Sequence, residues 1–161
     1  VSTAHDIDLA VEDERWETAI PDLESLVIRA VEAGLAAAPE PPDGPVEVSV
    51  MLTDDVTVRE LNRTWRGKDK PTNVLSFPAA PQPRHAGAAL PLGDVVLAYE
   101  TLVRESGEQS KLLRNHLAHL LVHGTLHCLG QDHENGEAEA EAMEALEIAA
   151  LATLGIPDPY A

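Results

Sequence analysis

The chain of 161 residues has one cysteine, Cys128, so no internal disulfide framework and no cysteine-rich zinc ribbon can form. Aromatic residues make up only 3%. Alanine, leucine and valine must therefore supply most of a core, which a hydrophobic content of 44% allows. Basic residues are scarce as well, 11 against 28 acidic ones, for a net charge of −17. That balance argues against a protein that coats nucleic acid with its whole surface, but leaves room for a local basic patch. No run of about 18 apolar residues exists, so no membrane span is expected. The first residues, Val-Ser-Thr-Ala-His-Asp, lack the basic stretch and apolar run of a signal peptide. A cytoplasmic protein with one domain over residues 1–161 is the expectation, long enough to bury a core without disulfides.

Apolar alternation predicts strands at Ile7–Val11 and Val46–Leu52, with short strands at Val74–Phe77 and Asp94–Tyr99. Helical spacing of Leu23, Leu26, Val27, Ala30, Val31 and Leu35 predicts a helix from about Asp22 to Ala38. Thr53-Asp54-Asp55 offers N-caps for a helix to about Trp65. The stretch 78–93 holds four prolines and reads as a long irregular loop. Further helices are expected after Tyr99 with a break near Gly107, from Ser110 to about Leu129, and from Glu137 to about Leu154. The fold class is α+β: a small mixed sheet packed against several helices, without internal repeats. The acidic series Glu137, Glu139, Glu141, Glu144 and Glu147 reads as a solvated helix face.

Five of the seven histidines fall between His116 and His133. His123 and His127 stand four apart, so on a helix they share one face, a spacing that lets two imidazoles reach one zinc ion. A continued helix would carry His133 about 15 Å along the axis from His123. Gly130 removes that obstacle, because glycine favours the left-handed turn that ends a helix and lets the chain return. Three histidines leave one coordination position open, the arrangement of a catalytic rather than a closed structural zinc. His116, His119, His123 and His127 fall within an arc of about 80° that borders the apolar side of the helix. His119 is a candidate for orienting a ligand, whereas His116, His5 and His85 read as ordinary satisfied histidines and Cys128 as packing. Asp132 could orient a ligand histidine or cap a turn, and the turn is favoured.

Metalloproteases of the zincin type carry His-Glu-x-x-His, and the metzincins add a third histidine after a glycine turn. The histidine and glycine spacing is the same here, but Gly124 stands in place of the glutamate base, a loss of about 10²–10⁴-fold for peptide hydrolysis.

The run His123-Gly-Thr-Leu-His127-Cys-Leu-Gly130-Gln-Asp-His133 resembles the signature of the YbeY family, His-Gly-x-Leu-His-x-x-Gly-x-Asp-His, at every fixed position. The block from Leu61 through Trp65-Arg66-Gly-Lys-Asp-Lys-Pro-Thr to Pro78 is similar to a second hallmark of that family, and Leu92-Gly-Asp-Val-Val-Leu97 to a third. The resemblance implies a single-strand-specific, zinc-dependent endoribonuclease. It implies a role in maturing ribosomal RNA, notably the 3′ end of the small-subunit RNA, and in ribosome quality control. It further implies ribosomal RNA and the ribosome or its proteins as partners, and one zinc ion on His123, His127 and His133. The family's arginine maps onto Arg66, with Arg63 the runner-up.

The residues themselves also bear on a phosphate substrate. Five of the 11 basic residues, Arg59, Arg63, Arg66, Lys68 and Lys70, lie in one segment of net charge +3. Such a block suits phosphate oxygens, which arginine can bridge in a bidentate manner. It equally suits a solvated helix end, where the dipole favours cations. Arg66 is the expected phosphate clamp, with Arg63, Lys68 and Lys70 as substrate contacts. Either water activated at the metal or the RNA 2′-hydroxyl could attack. Two other functions fit the residues: a metzincin-like zinc hydrolase of peptides or small molecules, and a non-catalytic ribosome-assembly factor with a structural zinc.

Overall fold

Residues of Val46–Thr53 (β2) alternate between buried and half-exposed, which assigns one side of the strand to a core. The computed structural model describes residues 4–85, 87–134 and 136–161. The other strands are Asp6–Val11 (β1), Val74–Pro78 (β3) and Leu90–Ala98 (β4). They form one sheet in the order β1-β2-β4-β3, with β1, β2 and β4 parallel and β3 antiparallel to β4.

The helices divide between the two faces. Leu23–Ala37 (α2) lays Leu26, Val27, Ala30 and Val31 on a core that also holds Val48, Val50, Val95 and Leu97. Leu113–Cys128 (α5) adds Leu117, Leu121 and Leu126 to that core. Glu137–Ala152 (α6) packs against α2 and α5 and contributes Met143, Ala150 and Leu151. Each such leucine or valine contributes about 1.5–3 kcal/mol by leaving water. On the opposite face, Val58 of Asp55–Arg66 (α3) meets Leu75, Val96 and Ala98. Side chains of β4 thus go alternately to α5 and to α3. Beyond α3 the same face carries a groove of about 670 Å³, lined by Asp8, Met51, Trp65 and Asp94 among others and by none of the histidines.

Most elements fall where apolar spacing predicts them, with three differences. A five-residue helix, Arg15–Ala19 (α1), is added; Trp16 alone of its residues is buried, too little for a periodic signal. Strand β4 begins at Leu90 inside the expected loop, because the partner β3 ends opposite Gly93 and leaves Pro91 facing no ladder on that side. Leu92 has no partner in β2, where Glu47 pairs with Pro91 and Val48 with Gly93. Helix Tyr99–Glu108 (α4) passes through Gly107 unbroken, and Ser110 at φ 54° marks the corner before α5.

Candidate metal centre

Helix α5 is enclosed on most sides, with 11 of its 16 residues buried. Its histidines therefore leave water and need partners, since an unpaired buried polar group costs about 1–3 kcal/mol. His116 Nε2 is 2.9 Å from Glu105 of α4, whose carboxylate also accepts from Asn73. Burial pushes the His116 pKa down, against the opposing pull of Glu105. One turn on, His119 Nε2 lies 2.7 Å from Oε1 of Glu147 in α6. Another turn on, His123 Nδ1 lies 2.7 Å from Oε2 of the same carboxylate. Tyr160 donates its hydroxyl to Glu147 Oε1 at 2.5 Å.

Glu147 corrects the reading of the acidic series as a solvated face. It is 1% exposed and belongs to the core side of α6. The signal was available: Glu147 stands four after Met143 and four before Leu151, on the apolar stripe. Burial pushes its carboxyl up, but hydrogen bonds from His119, His123 and Tyr160 outweigh this and hold its pKa down to about 2. Tyr160 and Glu105 likewise escape sequence reasoning, because only the packing of three helices brings them to the histidines.

Gly124 fixes how closely α5 approaches the sheet. A Cβ there would stand 2.7 Å from Val95 Cγ1 in β4. The position that carries the base in zincins thus points into the sheet, so a glutamate would have no room and no access to the histidine face. At the other end of the helix, Gly130 adopts φ 93°. The Gly130 N–H donates to the His127 carbonyl and the Gln131 N–H to the Leu126 carbonyl, both at 3.0 Å. These are the two bonds of a Schellman stop, and they turn the chain back as the spacing predicts. Asp132 then accepts from the backbone N–H of His133 at 2.7 Å and of Glu134 at 2.9 Å, so its side chain shapes the turn. The bond from Glu134 foremost, aided by that from His133, lowers its pKa against the opposing effect of burial.

The outcome is a cluster of His123, His127 and His133 whose ligand nitrogens lie within 4.8 Å of one another. His123 Nε2 and His127 Nε2 are 3.1 Å apart. Tetrahedral zinc with bonds of about 2.0–2.1 Å places its nitrogens about 3.3 Å apart, so the pair already has ligand spacing. Burial, then the neighbouring His123 and His133, lowers the pKa of His127 and favours the neutral imidazole that a metal requires. His133 is exposed and the other two half-buried, so the cluster opens to solvent on one side. Cys128 stays out of it; burial raises its thiol to about 12, consistent with packing.

The basic block divides in two. Arg59 pairs with Asp69 at 2.8 Å and Arg63 with Glu60 at 2.5 Å. Among the described residues Arg66, Lys68 and Lys70 make no ion pair, and all three are exposed. They start from α3 on the far face of the sheet, and among the described residues no hydrogen bond or ion pair joins them to the three histidines. The loop they occupy runs into β3, whose Val74 packs beside Gly124 of the histidine helix. His119, expected to orient a ligand, shares the Glu147 carboxylate with His123 and makes no hydrogen bond of its own to His123, His127 or His133 among the described residues.

The family described as Endoribonuclease YbeY matches residues 9–155. An Endoribonuclease YbeY of Azorhizobium caulinodans is 54% identical over 157 residues, covering 97% of this chain and 96% of its own. That of Paramagnetospirillum magneticum is 53% identical over 148 residues, covering 90% and 89%. A Thermotoga maritima protein solved in solution shares the fold, with a TM-score of 0.55, 22% identity and coverage of 92% and 91%. The family match over residues 9–155 and relatives more than half identical over most of the chain show that it belongs to the YbeY family.

Proposed function

We propose that the chain is a zinc-dependent endoribonuclease that cuts single-stranded RNA. The observation that carries this reading is an open three-histidine cluster in a chain more than half identical, over 97% of its length, to a protein named Endoribonuclease YbeY. His123, His127 and His133 would hold the ion. When bound, zinc supplies Lewis-acid polarisation at a phosphodiester and makes a neighbouring water more acidic.

The chain's own residues do the rest. Arg66 bridges oxygens of the scissile phosphate and offsets the charge that develops there. Lys68 and Lys70 hold flanking phosphates, while Arg63, already paired with Glu60, takes a lesser part. Asp132 keeps the His133 loop turned toward the helix. The remaining surface is acidic and repels RNA, so a single strand docks at these cations and the metal or is delivered by a partner. The biological substrate in this reading is ribosomal RNA, including the 3′ end of the small-subunit RNA. The ribosome or its proteins are then the partners, ribosome quality control the context and the cytoplasm the place. Peptide hydrolysis is disfavoured by the packing of Gly124 against Val95, which leaves no position for the zincin base.

Metal analysis combined with cleavage of single- and double-stranded ribosomal RNA fragments tests the proposal. Wild type should carry one zinc and cut only the single strand, and His127→Ala should lose both properties. Undiminished cleavage by metal-free His127→Ala would overturn the proposal.

A further inference from the structure

We propose that Glu147 is a positioning residue for the metal centre: its buried carboxylate keeps the proton of His123 on Nδ1, so that Nε2 presents its lone pair to the ion. The inference rests on the metal-site reading above and adds a residue from a different helix.

Three contacts carry it. Glu147 Oε2 lies 2.7 Å from His123 Nδ1, and an ionised carboxylate can only accept, so the proton of that bond belongs to the imidazole. Glu147 Oε1 is taken by Tyr160, whose hydroxyl donates at 2.5 Å, and by His119 Nε2 at 2.7 Å. Both carboxylate oxygens are therefore engaged on a side chain that is 1% exposed, with no room to swing toward solvent. The opposite nitrogen of His123 is the one that stands 3.1 Å from His127 Nε2. A neutral imidazole has one N–H, so fixing it on Nδ1 frees Nε2 as a ligand and prevents a proton from blocking the site. His127 and His133 show no carboxylate partner of this kind among the described residues. His123 is thus the ligand that a carboxylate orients, whereas His127 has a hydrogen bond with the Gln131 backbone. Tyr160 and His119 act one step further out, by holding Glu147 in place.

The test reads the tautomer and zinc affinity, neither of which requires RNA cleavage. In the metal-free wild type, nitrogen-15 NMR should find His123 as the Nδ1–H tautomer. Glu147→Gln turns an obligate acceptor into a group that can donate to His123, and should weaken zinc binding about 10–100-fold in a chelator competition. Tyr160→Phe, a smaller change, should weaken it less and keep the tautomer. A wild-type His123 protonated on Nε2, or folded Glu147→Gln with wild-type zinc affinity, would overturn the inference. Should Glu147→Gln fail to fold, the wild-type tautomer and the Tyr160→Phe affinity decide. Absence of RNA cleavage in a protein that passes these tests would count against the nuclease reading and not against Glu147.

Discussion

The histidine cluster and the basic block are both short, charge-bearing segments, yet the fold treats them oppositely. The cluster stands on an enclosed helix; Gly124 sets its distance to the sheet, Gly130 its stop and Glu147 the orientation of one ring. The five cations of the block are all exposed, and two of its arginines are tied up by Glu60 and Asp69. Ligands to an ion need placement within fractions of an ångström, which packing supplies. Phosphate attraction acts over about 10 Å at 0.1 M salt and tolerates mobile side chains. In this protein the candidate metal cluster is fixed by interior packing, whereas the cations of the block stay on the surface.

Chelation and four sets of substitutions probe that division. The largest effect should come from chelation: removal of zinc should abolish cleavage while circular dichroism keeps its helical signal, because the shared core of α2, α5 and the sheet does not depend on the cluster. Loss of helix on chelation would make the metal a structural staple. Next, Arg66→Ala should slow cleavage by about 100-fold with zinc content unchanged, as expected for a lost charge stabiliser. An unaltered rate would remove Arg66 from the chemistry. Gly124→Ala places a methyl 2.7 Å from Val95 Cγ1. It should destabilise the fold by about 1–3 kcal/mol in denaturant unfolding, and a neutral result would show that α5 can retreat from the sheet. Lys68→Ala and Lys70→Ala should each flatten the salt dependence of RNA binding by about 0.7 in the log–log slope, leaving zinc affinity alone. Asp69→Asn, which frees Arg59 on the surface, should leave the thermal midpoint unchanged and strengthen RNA binding slightly.

Much of this was legible in the residues. Alternation in Val46–Thr53, helical spacing in Leu23–Ala37 and the His123–His127–His133 pattern with its glycine turn are local signals, and the structure places each as local physics requires. Arg15–Ala19 was not legible because one buried tryptophan makes no period. The first residues of β4 were hidden by Pro91, whose tolerance depends on where the neighbouring strand ends. Glu147 was hidden by its company: four glutamates precede it in α6, and only its place between Met143 and Leu151 marked it as buried. Its function as a partner of His119 and His123 required the docking of α6 on α5, which no local pattern encodes. The pairing of Arg59 with Asp69 and Arg63 with Glu60 leaves three cations of the block without an ion pair among the described residues, again a matter of side-chain geometry.

X-ray absorption of the zinc-loaded wild type tests the central claim most directly. Three imidazole nitrogens and one oxygen donor at about 2.0–2.1 Å, without sulfur, are the result expected from His123, His127 and His133. A sulfur shell at about 2.3 Å, which would bring in Cys128, or an all-oxygen shell would contradict it.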